Sequence, residues 1–248
     1  MISKSNSKYI KSLLIKKIRK QEGRFIVEGA KSVIELLNSR YQIDSIFLTT
    51  EFYNCYKQLL PNDLQVVHCS EDELNTAGSM VNNNAALAIA RTFDNHLLEP
   101  LKDTYTLLLD DIRDPGNLGT IIRIADWYGH TQIICSEHTA EFYNPKVIAA
   151  TMGSFTRVNA YYCDLPSYLD KYKSFLYGAK LSGDNIHHLH FKKEGMILIG
   201  NESFGISKTL DYKIDQSLLI PRFGHAESLN AAVATGIILD NIARNLSI

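Results

Sequence analysis

The sequence predicts two α/β units, the second built on a largely parallel sheet covered by helices on both faces. Three observations carry this expectation. Short apolar runs alternate with amphipathic stretches along nearly the whole chain. The runs beyond residue 104, such as Tyr105–Leu109 and Met196–Ile199, are almost continuously apolar, as strands buried on both faces are. The segment 94–103 holds Pro100 and few strand formers, which divides the chain into domains over residues 1–95 and 103–248. With 248 residues and 45% apolar side chains there is material for two modest cores, and 21% charged residues does not suit a disordered chain.

The first unit opens with a basic stretch. Ile10, Leu13, Leu14 and Ile18 recur at helical spacing, so a helix can bury them and turn its lysines outward. Lys4, Lys8, Lys11, Lys16, Lys17, Arg19, Lys20 and Arg24 stand there against a single acid, Glu22. A solvated face and a phosphate-contacting arm both fit that density, with Lys16, Lys17 and Lys20 as candidate RNA contacts. Strands are expected at Arg24–Val27, Ser45–Thr49, Gln65–His68 and Ala85–Ala90. Between the first two lies a helix over Ala30–Asn38, with Val33, Leu36 and Leu37 on one side. Another spans residues 71–79, with Ser70 as its N-cap.

The second unit begins at the strand Tyr105–Leu109 and continues with strands at Gln132–Cys135, Ser174–Tyr177, Met196–Ile199 and Ser217–Ile220. Helices are expected at Leu118–Trp127, Pro145–Met152 and Ser167–Lys173, with a long final one over Ser228–Asn245.

Several classes are disfavoured. No run approaches the apolar length of a membrane span, and the basic start lacks the apolar core and cleavage site of a signal peptide. Cys55, Cys69, Cys135 and Cys163 form no CxxC pair, which suits reduced thiols and a cytoplasmic protein. No G-x-G-x-x-G follows a strand. Gly178–Gly183 has the glycine spacing of a Walker A loop, but Asp184 stands where the lysine belongs. That leaves a nucleotide-dependent α/β enzyme without its phosphate loop. His187, His188 and His190 lack a carboxylate or cysteine at a ligand interval, so no metal is expected.

Ligands of parallel sheets gather at the carboxyl ends of strands. Three strand exits here combine glycine with polar groups. The first runs from Asp110 through Asp114-Pro115-Gly116-Asn117 and Gly119 to Arg123. The second is Gly200-Asn201-Glu202-Ser203-Phe204-Gly205. The third is Ile220-Pro221-Arg222-Phe223-Gly224, continuing to Ser228-Leu229-Asn230. Taken singly, each has an ordinary reading: Asp114–Asn117 as a turn, Arg123 as a surface helix residue, Ser228 as an N-cap, Asn230 as its first-turn helper.

Together the three exits resemble the SpoU (TrmH-type) branch of the SPOUT RNA methyltransferases. Asp110, Asp114, Pro115, Asn117, Gly119 and Arg123 fill its first motif, D-x-x-x-D-P-x-N-x-G-x-x-x-R. Gly200, Glu202 and Gly205 fill G-x-E-x-x-G. Ile220, Pro221, Gly224, Ser228, Leu229 and Asn230 fill I-P-x-x-G-x-x-x-S-L-N. The N-terminal unit, with Ile10–Lys20 followed by Arg24–Gly29, resembles the family's small L30e-like substrate-binding domain.

The resemblance implies S-adenosylmethionine-dependent methylation of a ribose 2′-OH in rRNA or tRNA. It implies a catalytic domain tied in a trefoil knot and a homodimer with the active site at the subunit interface. Arg123, Asn117, Glu202, Asn230 and Ser228 are then the candidate catalytic residues, and the backbones of Gly200, Ile220 and Leu229 the candidate cofactor contacts. A guanidinium is a poor base, so Arg123 acting as base and Arg123 stabilising a developing alkoxide both stay open. The alternative is a catalytically inactive RNA-binding protein of the same fold. One segment departs from the family: in Asn144–Val158, Ala149 stands where K-x-x-R-A-S-x-G has its arginine, and Thr151 where it has its serine.

Overall fold

A computed structural model describes residues 1–246 of the protein. The last two residues of the expected second domain, Ser247 and Ile248, lie outside the described residues. The chain forms two compact units. One contains residues 1–94 and 141–156, the other residues 95–140 and the described residues from 157 onward. Segment 141–156, inside the expected second domain, therefore packs with the first unit.

In the first unit the elements are helices α1 (Lys4–Ser12) and α2 (Lys16–Glu22), strand β1 (Arg24–Glu28), α3 (Ala30–Leu37), β2 (Ile43–Leu48), α4 (Thr50–Tyr56), β3 (Gln65–His68), α5 (Glu71–Ala77) and β4 (Ala86–Arg91). The strands line up as β1-β4-β2-β3, with β4 antiparallel to both neighbours and β3 parallel to β2. Ile10 and Leu13 from the N-terminal helices meet Ile26, Phe47, Leu74, Leu87 and Ile89 in one core. Ser70 caps α5 as expected, in a reciprocal box with Glu73.

The single basic helix expected over Ile10–Lys20 is broken. The chain leaves α1 at Leu13, and Arg19 explains the break. Its guanidinium donates to the Leu13 carbonyl at 2.8 Å and pairs with Glu141 at 2.5 Å, with the residue only 1% exposed. Satisfying the carbonyl left over at a helix end is the work of a C-terminal cap. Arg19 is thus removed from the candidate phosphate contacts, and Arg24 is paired with Asp44. Lys8, Lys11, Lys16, Lys17 and Lys20 remain exposed.

The second unit opens with β5 (Tyr105–Leu109), α6 (Pro115–Trp127) and β6 (Gln132–Ser136). The chain then contributes α7 (Pro145–Thr151) to the first unit, where it packs on β1. It returns as β7 (Asn159–Cys163), α8 (Leu165–Lys171), β8 (Leu176–Lys180), β9 (Asp184–Asn185), β10 (Gly195–Ile199), α9 (Lys208–Asp211), β11 (Gln216–Leu219) and α10 (Ala231–Leu246). The sheet order is β7-β6-β5-β10-β8-β11-β9, and every pairing is parallel. Helices α6 and α10 pack together, while α8 packs on β6 and α9.

Two expectations shift. The strand expected at Ser174–Tyr177 begins at Leu176, whose N–H is taken by the Asp215 carboxylate at 2.8 Å. Gly178, the first glycine of the Walker-like spacing, lies inside that strand, where the Ile214 side chain fills the place of its missing Cβ. Edge strand β7 had no sequence signal strong enough to mark it: its residues are all half-buried.

Candidate active site

Because the strands are parallel, the exits of β5, β10 and β11 leave the sheet at one end. Local capping shapes the first. Asp114 takes the N–H of Asn117 at 2.8 Å as N-cap of α6, with Pro115 in the first turn. Asn117 is thereby fixed at the start of the helix with its amide directed at the other exits.

The amide of Asn117 donates to Glu202 Oε1 at 2.5 Å, and its carbonyl oxygen accepts from the Asn230 amide at 2.7 Å. One residue from each exit thus enters a single hydrogen-bonded chain, Glu202–Asn117–Asn230. The Asn230 side-chain oxygen also accepts from the N–H groups of Ala232 and Val233, so Asn230 caps α10. The sequence reading gave that cap to Ser228. The structure corrects it: Ser228 is an exposed loop residue outside the hydrogen-bonded chain.

Three residues without assigned roles hold the exits to one another. Asp110 is buried and its carboxylate accepts from the Ser207 N–H at 2.7 Å. Asp111 adopts the left-handed region at φ 60°, donates its N–H to Ser136 Oγ, and accepts from the Asn201 amide at 2.8 Å. Asn201 also accepts from Ser203 and Phe204, closing the second exit on itself. A strained residue held by several bonds at a strand end is a frequent mark of a functional site. The sequence signal for Asn201 was its place in the second exit, between Gly200 and Glu202.

Arg123 stays apart. It is exposed on α6, six residues beyond Asn117, which carries it about 240° around the helix. Among the described residues no acid or carbonyl engages it, whereas the other arginines of this unit are engaged: Arg113 by Asp111, Arg157 by Asp126, Arg222 by the Ala226 carbonyl and Arg244 by Asp240.

The candidate cofactor residues line the second and third exits. A Cβ on Gly200 would lie 2.4 Å from the Gly205 carbonyl carbon and 2.5 Å from the Ile206 nitrogen. Glycine is thus required there by the loop's own closure. Ile220 is half-buried and Leu229 exposed. Among the described residues no hydrogen bond engages the main chain of Gly200 or Leu229. Free main-chain donors and acceptors beside apolar side chains match the adenosine part of S-adenosylmethionine, which presents ring nitrogens, an amino group and ribose hydroxyls. The residues present therefore fit that group. Among the described residues no cluster of three or more His, Cys, Asp or Glu could hold a metal ion, and no helix is long and apolar enough to cross a membrane.

Residues 104–240 match the SpoU rRNA Methylase family, and residues 4–88 match the MRM3-like substrate binding domain. The chain is 31% identical over 237 residues, 92% of each chain, to the 23S rRNA (guanosine(2553)-2′-O)-methyltransferase RlmP of Bacillus subtilis. It is 31% identical, with a TM-score of 0.85 over 97% of this chain and 98% of the other, to the structure of a putative TrmH-family RNA methyltransferase from Porphyromonas gingivalis. The AdoMet-bound rRNA methyltransferase of Sinorhizobium meliloti is 28% identical, with a TM-score of 0.88 over 99% and 97%.

Proposed function

This chain belongs to the SpoU rRNA methylase family, an S-adenosylmethionine-dependent RNA ribose 2′-O-methyltransferase, and we propose that its target is ribosomal RNA and that Glu202, Asn117, Asn230 and Arg123 form its active site. The observation that carries the site is the hydrogen-bonded chain joining one side chain from each of three strand exits. The ribosomal target is supported by the near full-length relative whose name specifies 23S rRNA.

When bound, S-adenosylmethionine supplies a methyl group on a sulfonium centre, open to in-line attack by the ribose oxygen. The chain's own residues do the positioning, which supplies much of the acceleration in such a transfer. The main chains of Gly200, Ile220 and Leu229 hold the adenosine part. Glu202 fixes the Asn117 amide through one carboxylate oxygen, which leaves the other to accept the 2′-OH of the target ribose. Arg123 meets negative charge, either an RNA phosphate or the oxygen as it loses its proton. Ser228 serves as a further contact to substrate from the exposed third exit.

The separation of Arg123 from Asn117 around α6 supports a homodimer in which sites are completed between subunits. The exposed Trp127, Phe204 and Phe223 support the same reading, since large apolar side chains at one unit's surface suit an interface. Likeness to solved family structures over nearly the full length supports a trefoil-knotted catalytic domain. Lys16, Lys17 and Lys20 contact RNA phosphates from the N-terminal domain, and the enzyme acts in the cytoplasm, where its RNA substrate is.

The test is Arg123→Ala, assayed by transfer of labelled methyl to ribosomal RNA alongside a cofactor binding isotherm. Turnover should fall by about a hundredfold or more, the scale of removing one transition-state charge contact, while cofactor affinity holds. Retention of more than a third of the rate removes Arg123 from the mechanism.

A further inference from the structure

At the end of the catalytic sheet away from the three exits there is a cavity of about 510 Å³. Its walls come from the segments that enter β8, β10 and β11: Lys173, Ser174 and Phe175, then Lys192, then Lys213 and Asp215. The Glu202–Asn117–Asn230 chain leaves the same sheet at the carboxyl ends. With five residues in β10 and about 3.3 Å of rise per residue, the two places lie roughly 17 Å apart along the strand.

Three lysines and one acid, Asp215, line the cavity, and one of the lysines has no acid to pair with. Lys213 is largely buried, with a side chain 14% exposed, and pairs with Asp170 at 2.5 Å. Lys173 shares that same carboxylate at 3.4 Å. The Asp215 carboxylate is engaged by the Leu176 N–H. Lys192 has no acidic partner among the described residues. Its ammonium lies 3.6 Å from the centre of the Phe175 ring.

Lys192 is exposed, but its main chain is anchored to the core. The Tyr177 hydroxyl accepts its N–H at 3.1 Å, and the Tyr105 hydroxyl donates to its carbonyl at 2.5 Å. Both tyrosines are almost fully buried. Two core phenols thus hold the main chain of a lysine that lines the cavity and pairs with no acid among the described residues, the cavity's own carboxylate, Asp215, being turned to the Leu176 N–H. The ligand chemistry that answers one unpaired ammonium, with two more sharing a single carboxylate beside it, is a phosphate.

We propose that this cavity is a second RNA-binding site, which holds a phosphate of the substrate RNA at a distance from the methyl-transfer end. The inference rests on the RNA methyltransferase reading, because that reading makes RNA the polyanion the enzyme must grip. A contact there adds affinity and orients the RNA without touching the reacting atoms.

The experiment uses the full chain, the same ribosomal RNA fragment, and the variants Lys173→Glu/Lys192→Glu and Lys192→Gln. RNA affinity is measured across a salt series, with cofactor affinity and thermal melting as checks on folding. Each lost phosphate contact should flatten the log–log salt slope by about 0.7. The double variant should therefore lose roughly 1.4 of slope and about tenfold in affinity at moderate salt. Lys192→Gln, with no new charge to disturb folding, should lose about half of that slope. Cofactor affinity and the rate at saturating RNA should hold. Unchanged RNA affinity and slope in Lys192→Gln overturn the proposal. Binding of 5′-AMP is measured on the parent and on Lys192→Gln; binding to the parent that the variant loses, with RNA affinity intact, assigns the cavity to a free nucleotide and also overturns it. Turnover of the unmodified enzyme on the same RNA tests the underlying reading separately: a chain that methylates RNA while its variants bind like the parent sinks only the second site.

Discussion

Asn117→Asp cuts one link of the central hydrogen-bonded chain and spares the other. The new side chain still offers an oxygen to the Asn230 amide, whose present contact is 2.7 Å. It removes the N–H that Asn117 now donates to the Glu202 carboxylate at 2.5 Å and sets a second carboxylate in its place. A hydrogen bond to a charged partner contributes about 2 kcal/mol. At about 1.36 kcal/mol for each tenfold in rate, its loss alone predicts roughly a thirtyfold fall in kcat/KM. Repulsion between the two carboxylates adds to that. It also gives the variant a signature. Two like charges in contact hold a proton more tightly than either alone, and the shared proton restores a donor between them. The ratio of variant to parent activity should therefore rise as pH falls from 8.5 to 5.5. The assay is transfer of labelled methyl to ribosomal RNA under kcat/KM conditions across that range, with Asn117→Ala as the reference that cuts both links. Activity of Asn117→Asp within threefold of the parent at every pH would refute the positioning role of the chain.

Gly200→Val should weaken cofactor binding at least tenfold and lower the melting temperature, because its Cβ would lie 2.4 Å from the Gly205 backbone and overpacking costs about 1–3 kcal/mol; a folded variant with parental affinity would place the cofactor elsewhere. Replacing Lys16, Lys17 and Lys20 by alanine should weaken RNA binding and flatten the salt slope by roughly two units, with cofactor binding unchanged; equal RNA affinity at low and high salt would make these lysines a solubility feature only. Burial lowers the pKa of His130, against a weaker opposing effect of a main-chain bond at Tyr105, so the folded state disfavours its proton. The unfolded chain takes up that proton first as pH falls below about 6.5, and stability is lost from there down to the folded pKa. Unfolding free energy between pH 7 and 5 should fall less steeply in His130→Gln than in the parent, and equal slopes would assign the acid sensitivity to other groups.

What could be read in the sequence follows from how local its cause is. The strand Tyr105–Leu109 is bounded by its own apolar run, and the cap Ser70 acts within three residues. The three exits were legible because fixed spacing between glycine, proline and polar side chains is itself the signal. What depends on distant partners was not. Arg19 looks like one more basic residue of an amphipathic helix until Glu141 meets it 122 positions away. The departure at Ala149 sits in α7, which the contacts assign to the first unit. Nothing within residues 144–158 announces that assignment, since a short apolar helix serves equally well in either core. Ser228 and Asn230 are both good caps by residue type; α10 begins at Ala231, so Asn230 takes the Ala232 and Val233 N–H groups while its amide reaches Asn117, a partner 113 positions away.

The contrast between the central chain and Arg123 has a physical logic. Interactions that raise the rate are those stronger in the transition state than before it. Glu202, Asn117 and Asn230 satisfy one another in the resting protein, so their geometry is set in advance and costs no reorganisation when RNA arrives. A guanidinium bound to a neighbouring carboxylate would have to break that pair before meeting a developing charge, and the lost pair would offset the gain. Arg113 and Arg157 are committed in that way to Asp111 and Asp126. Among the described residues, Arg123 faces no such competitor, although Asp126 lies only three positions along the same helix. Arg157 occupies Asp126 with both its Nε and its terminal nitrogen, between 2.9 and 3.0 Å. Arg157→Ala would remove those bonds and let the Asp126 carboxylate compete for Arg123 at an i,i+3 spacing. Turnover should then fall several-fold with RNA and cofactor affinities little changed, and the double change with Asp126→Ala should restore it.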